Sequence, residues 1–229
     1  MRLLDLFCGA GGATRGYQRA GFHVTGIDNK PQPHYCGDVF IEADALSIRP
    51  EWIAENFDAV HASPPCQFAT AMRYAPGAKQ HPNLIPETRT LLQATGLPWV
   101  IENVDARLAR ESMPGSLRLC GTSFGLGAEG CELRRHRRFL SNVLLFGQPC
   151  QHYPGAAVIG VYGGHARLRA AKHGGRGTKE VWATGHLQAA STALGIDWMT
   201  LAEMSEAIPP EFTKYVGNQL RRFVVAKAA

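Results

Sequence analysis

The chain opens on an apolar run, Arg2-Leu3-Leu4-Asp5-Leu6-Phe7, cut by Cys8-Gly9-Ala10-Gly11-Gly12 and followed by helix-forming residues over 13–20, with Gly21 as the stop. Strand, glycine turn and helix in that order favour a parallel sheet, because the helix must cross back over the sheet before the next strand can start. The pattern continues. Strands are expected over 22–27, ending at Asp28, over 39–43, ending near Asp44, over 57–62 and over 99–101, with helices over 50–56 and 86–95. The fold class that follows is α/β, a mostly parallel sheet with helices on both faces. In such sheets ligands bind at the carboxyl ends of the strands, where Gly9, Asp28, Asp44, Cys66 and Glu102 all fall.

Beyond Leu119 the alternation fades. A strand pair is expected over 137–146 and irregular chain through Gly185. Thr200-Leu201-Ala202-Glu203 has the pattern of a capping box, so a short helix should start there and stop before Pro209-Pro210, with a last helix after Gly217-Asn218. A length of 229 residues suits one domain with a small appended lobe. The expected division is a catalytic domain over 1–139 and 200–229 and a recognition lobe over 140–199.

Charge is unevenly placed. From Leu133 to Lys179 there is no Asp or Glu, while Arg134, Arg135, Arg137, Arg138, Arg167, Arg169, Lys172, Arg176 and Lys179 supply nine positive charges. The other 15 basic and 19 acidic residues leave a remainder of −4 (15 − 19), from the totals of 24 and 19. A one-signed stretch of this kind suits a polyanion, because phosphate neutralisation releases counterions. No signal segment and no run long enough to span a bilayer is apparent, and the six cysteines lie far apart. A cytoplasmic protein with reduced thiols and no membrane contact is the expectation.

Gly9-Ala10-Gly11-Gly12 after a strand lets backbone amides approach a ligand, and Asp28, 19 residues after Gly9, stands where an acid can accept from ribose hydroxyls. The pair alone leaves a nicotinamide cofactor and S-adenosylmethionine both open, although the third glycine of the dinucleotide fingerprint is missing. At the next strand end two prolines stiffen the turn before the Cys66 thiol. Thiolates add to C6 of cytosine only when N3 is protonated or hydrogen-bonded, so that chemistry needs a cysteine and an acid. Glu102 could be the acid, with Arg135 or Arg137 as its neighbour.

The ordered set Asp5-Leu6-Phe7-Cys8-Gly9-Ala10-Gly11-Gly12, Pro64-Pro65-Cys66-Gln67, Glu102-Asn103-Val104, Arg135-x-Arg137-x-Phe139 and Gly217-Asn218 resembles the DNA cytosine-5 methyltransferase family, in its usual order. The resemblance implies the Rossmann-like fold of S-adenosylmethionine-dependent methyltransferases, here with a small irregular basic lobe. It implies catalytic roles for Cys66, Glu102, Arg135 and Arg137. It also implies a cofactor site of Asp5, Phe7, Cys8, Gly9, Ala10, Gly11, Gly12, Asp28, Asn29, Asp44, Ala45, Pro64 and Asn218, the last bracing the loop that carries Cys66. Asp44 is preferred over Asp38 for the adenine because it ends the third strand.

Duplex DNA is the partner implied, contacted through Gln67, Arg73, Arg167, Arg169, Lys172, Arg176 and Lys179, by an enzyme acting as a monomer and releasing S-adenosyl-L-homocysteine. A transfer RNA substrate, a free cytidine nucleotide and a catalytically silent DNA-binding relative are the alternatives. The sequence departs from the family at Leu133, where Gln is usual, and in having only 60 residues between Phe139 and Thr200. That short interval resembles compact bacteriophage members and implies short or loose specificity. Cys120, Cys131, Cys150 and His152 could be imagined around zinc, but no two are spaced as a close ligand pair, so scattered thiols and no metal are expected.

Overall fold

The computed structural model describes residues 1–69, 80–169 and 182–228. Its main sheet starts with β1 (Arg2–Leu6), followed by α1 (Gly12–Arg19), β2 (His23–Asp28), β3 (Val39–Glu42), α2 (Pro50–Asn56), β4 (Ala59–Ala62), α3 (Ile85–Ala94), β5 (Trp99–Val104), α4 (Arg107–Ser112) and β6 (Leu117–Cys120). Two short strands, β7 (Gly127–Ala128) and β8 (Cys131–Glu132), precede β9 (His136–Ser141), which returns to the main sheet. The strand order is β3-β2-β1-β4-β5-β9-β6, with the first five parallel and β9 antiparallel to both of its neighbours.

Alternation along the strands builds two cores. On β1, Leu3 faces one side of the sheet, and Leu4 and Leu6 face the other. The Leu4 side packs against Ile53 of α2, Ile85 and Leu92 of α3 and Ala109 of α4. The Leu3 side packs against Tyr17 of α1 and against Phe212, Val216 and Leu220 of α7 (Pro210–Ala228). Helices therefore cover both faces, as the alternation of strand and helix predicts.

A second sheet of order β11-β10-β8-β7 uses β10 (Val158–Tyr162) and β11 (His165–Arg169). With α5 (His186–Leu194) and α6 (Leu201–Glu206) it encloses a third core of Leu133, Ile159, Val161, Trp182, Leu194 and Met204. This lobe draws strands from before residue 140, because β8 pairs with β10 and Leu133 is buried in the same core.

Three local expectations are corrected. The last helix begins at Pro210 and runs through Gly217-Asn218, since proline is well tolerated in a first helical turn. Gly217 is where α7 passes α1: a Cβ there would meet the Cβ of Ala20 at 2.8 Å. Only residues 136–141 of the expected strand pair form a strand, and β9 takes its partners from β5 and β6 rather than from the chain that follows it. Within the supposedly irregular region, Gly163 and Gly164, both at positive φ (58° and 73°), turn a tight hairpin between β10 and β11. The helix at Leu201 does carry the expected box, with Thr200 and Glu203 each capping the other's backbone.

Candidate active site

The strand ends Leu6, Ile27 and Ala62 lie side by side in register, and the first glycine turn hangs over them. Phe7 at φ 59° and Gly11 at φ 87° reverse the chain before α1. The Gly9 amide donates to Asp28 Oδ2 at 3.1 Å and the Lys30 amide to Asp28 Oδ1 at 3.2 Å, so the Asp28 carboxylate ties two strand-end loops together. The space beside Gly9 is open: a Cβ there would meet no atom within 4 Å. Phe7, Gly9 and Asp28 are half-buried, and Asn29 and Asp44 are exposed. These residues present an open surface at the strand ends, with one acid ending β2 and another just after β3, which fits a ligand carrying ribose and an amino-purine.

The other residues of the expected cofactor set form the floor. Cys8, Ala10, Gly11, Gly12, Ala45 and Pro64 are buried. Asp5 is fully buried beneath the turn, accepts from the Thr14 hydroxyl at 2.5 Å, and is pushed up to about 7 by burial. Its role is to shape the turn from behind. Asp44 caps the chain after β3 by accepting from the Leu46 amide at 3.0 Å, whereas Asp38 is occupied by the Val24 amide at 2.7 Å and the Gln18 side chain at 3.0 Å. Asn218 lies exposed on α7.

The turn that carries Cys66 is braced from β5. Asn103 Nδ2 donates to the Pro64 carbonyl at 2.8 Å, both groups buried, and the Ala69 amide closes a single turn on the Cys66 carbonyl at 2.9 Å. Cys66 and Gln67 are half-buried at the start of this turn. Burial pushes the Cys66 thiol up, Arg137 opposes this, and Glu102 reinforces it, so all three groups share one electrostatic site.

Glu102 is 4% exposed, near the end of β5. Its register partner on β9 is Phe139, and Arg137, two residues along, shares its face of the sheet. Arg137 Nε lies 2.9 Å from Glu102 Oε1 in a buried ion pair, but off the line a hydrogen bond requires, which leaves Oε1 without a hydrogen bond among the described residues. Burial pushes the Glu102 carboxyl up to about 7, with Arg137 and then Arg135 pulling it down.

The two arginines divide their work. Arg135, 1% exposed, donates to the Val161 carbonyl at 3.0 Å and to the Ser205 carbonyl at 2.7 Å, and its guanidinium lies 5.6 Å from the Tyr162 ring centre. It bonds the small lobe to the strand that carries Arg137. Their neighbours Arg134 and Arg138 pair with Glu132 at 2.7 Å and Asp105 at 3.2 Å. All four arginines of 134–138 therefore have internal partners. Arg167 lies half-buried on β11 and Arg169 ends that strand; Arg73, Lys172, Arg176 and Lys179 lie outside the described residues.

The mostly parallel sheet, covered by helices on both faces, matches the S-adenosylmethionine-dependent methyltransferase fold. Solved structures share it. A protein described as a DNA modification methyltransferase encoded within an E. coli prophage is similar over 98% of this chain and 99% of its own, at 14% identity and a TM-score of 0.61. The methyltransferase EhMeth of Entamoeba histolytica is similar over 100% and 99%, at 10% identity and a TM-score of 0.50. No curated protein sequence matches the chain.

Residues 1–112 match the family model of the C-5 cytosine-specific DNA methylases. That segment holds the glycine turn, Cys66 and Glu102. Among the described residues no helix is long and apolar enough to cross a membrane.

Proposed function

We propose that the protein methylates C5 of a cytosine in duplex DNA, with S-adenosylmethionine as methyl donor. The observation that carries this reading is that the turn bearing Cys66 is hydrogen-bonded through Asn103 to the strand end bearing the buried Glu102 carboxyl, which is itself ion-paired with Arg137. Cytosine resists attack by electrophiles at C5, and a thiolate adding at C6 removes that resistance only if N3 carries a proton or a strong hydrogen bond. Cys66 supplies the thiolate. Glu102, near neutrality in its affinity for a proton, holds that proton at N3, and Arg137 fixes the carboxyl's orientation. When bound, S-adenosylmethionine supplies an electrophilic methyl group for C5. Loss of the C5 proton then expels the Cys66 thiolate and restores the ring.

Phe7, Gly9, Asp28, Asn29 and Asp44 would hold the cofactor above the buried floor. Arg135 acts at one remove, by anchoring the lobe built on β7, β8, β10 and β11, which we read as the recognition lobe. A base must leave the duplex stack to reach Cys66, at a cost of a few kcal/mol that phosphate contacts offset. Because Arg134 to Arg138 are engaged internally, the charge available for phosphates rests on Arg167 and the basic residues after it.

Incubation with labelled S-adenosylmethionine and duplex DNA, transfer RNA or free cytidine nucleotides in parallel, followed by nucleoside mass spectrometry, tests the reading. It predicts 5-methylcytosine in DNA. Label confined to transfer RNA or to nucleotides, or found nowhere, contradicts it.

A further inference from the structure

Cys120, His136, Cys150 and His152 place their four ligand atoms within 4.8 Å of one another, on the side of β9 away from Glu102. Two of them come from neighbouring strands: Cys120 ends β6 and His136 starts β9, directly opposite in register, so their side chains share a face. The other two form Cys150-Gln151-His152 in the chain after β9. Cys120 Sγ lies 3.2 Å from His152 Nε2, His136 Nε2 lies 3.3 Å from Cys150 Sγ, and the two rings are centred 5.4 Å apart. Four ligands around a tetrahedral zinc stand roughly 3.3–3.8 Å apart, given bonds of about 2.3 Å to sulfur and 2.0 Å to nitrogen.

We propose that these four residues form a closed, structural zinc site. Two thiolates and two neutral imidazoles make a full tetrahedral set with no position left for water, which is the composition of a structural rather than a catalytic centre. Binding the ion releases the two thiol protons, and the two thiolate charges balance the metal's. Cys120 and Cys150 lie together rather than scattered, and the ligand set differs from the one considered from spacing: Cys131 belongs to β8 in the other sheet, and His136, between Arg135 and Arg137, stands in its place.

The surroundings favour a metal. Residues 142–157 contain no helix or strand; Val143 and Leu145 pack partly against the Leu3-side core, but from 146 to 157 no residue is buried, and Phe146 and Tyr153 are 64% and 72% exposed, so little apolar burial holds the part that carries Cys150 and His152. Its backbone is nevertheless held on both sides of the Cys150 and His152 pair. The Pro149 carbonyl accepts from Ser123 Oγ at 2.8 Å, the Gln151 amide donates to Thr122 Oγ1 at 3.1 Å, and the Tyr153 amide donates to Glu132 Oε1 at 2.8 Å. Among the described residues one competing contact is present, Cys120 Sγ to Thr122 Oγ1 at 3.2 Å, which a thiolate bound to zinc can accept from the hydroxyl. Zinc here would staple the segment to β6 and fix the start of β9, from which Arg137 projects to Glu102.

Elemental analysis of the full chain, purified under reducing conditions without chelator, should find about one zinc per chain. Cobalt(II) added to the chelator-stripped protein should give the visible bands of a tetrahedral site with thiolate charge transfer. Cys150→Ser should cut bound metal at least about tenfold and abolish those bands, while Cys131→Ser keeps both. Should Cys150→Ser fail to fold, His152→Gln and the cobalt spectrum of the unaltered chain still decide. A folded, reduced protein that takes up neither metal, or one whose Cys120 and Cys150 are joined as a disulfide after anaerobic purification, overturns the proposal.

Discussion

Asn103 donates to the carbonyl of Pro64 across 2.8 Å, so the strand end that carries Glu102 also holds the turn that carries Cys66. Acid and thiol are thus fixed to one another through a single buried amide. Asn103→Ala removes that link and orphans a buried carbonyl, which costs about 1–3 kcal/mol. Methyl-transfer assays with thermal melting should show kcat falling more than KM rises, because the thiol loses its aim while the cofactor surface is unchanged. A melting loss with an unchanged kcat would assign Asn103 a purely structural role.

The Glu102 carboxyl changes charge near pH 7, and burial also raises the Cys66 thiol. Above about pH 7 the thiolate fraction still grows tenfold per unit while the protonated fraction of Glu102 shrinks at the same rate. Their product levels off. In the proposed mechanism kcat/KM therefore rises to about pH 7 and flattens. Glu102→Gln has no carboxyl to titrate, so its activity, lower by roughly 10²-fold or more, should continue to rise past that point. Identical profile shapes for the two proteins would remove Glu102 as the proton holder.

Arg135 and Arg137 should part company on substitution. Arg135→Ala strands the Val161 and Ser205 carbonyls, at about 1–3 kcal/mol each, and should lower the melting temperature. Arg137→Ala removes the partner of Glu102 while, among the described residues, its guanidinium otherwise bonds the His136 carbonyl alone, so its loss should appear mainly in kcat. Melting curves and kcat measured side by side check this, and equal effects of both variants on both readings would refute the division.

The first half of the fold is legible because short-range chemistry decides it. A strand, a glycine turn and an apolar helix face leave few alternatives, and β1 to β5 fall where the alternation puts them. The thiol and acid proposed for the chemistry are legible for the same reason, since Cys66 follows the end of β4 and Glu102 lies near the end of β5. What is lost is whatever depends on pairing between distant residues. β9 takes its neighbours from β5 and β6, which nothing in 137–146 announces. Gly217 reads as a helix start, yet it is the contact point of two long helices, a property of their crossing rather than of the local sequence.

The arginine run teaches the same lesson about charge. Four cations within 134–138 read as a surface for a polyanion, yet the structure gives each an internal partner. The Asn103 brace had one sequence signal, its place in Glu102-Asn103-Val104, but only the strand geometry shows that it reaches Pro64. Asn218, assigned the bracing role by resemblance, sits exposed on α7.

The account stands or falls on Cys66, and Cys66→Ala tests it most directly. Nucleoside mass spectrometry of duplex DNA treated with this variant and S-adenosylmethionine, alongside calorimetric binding of S-adenosylmethionine, gives both halves of the answer. The account predicts no 5-methylcytosine and cofactor binding equal to that of the unaltered chain. Undiminished 5-methylcytosine would contradict it.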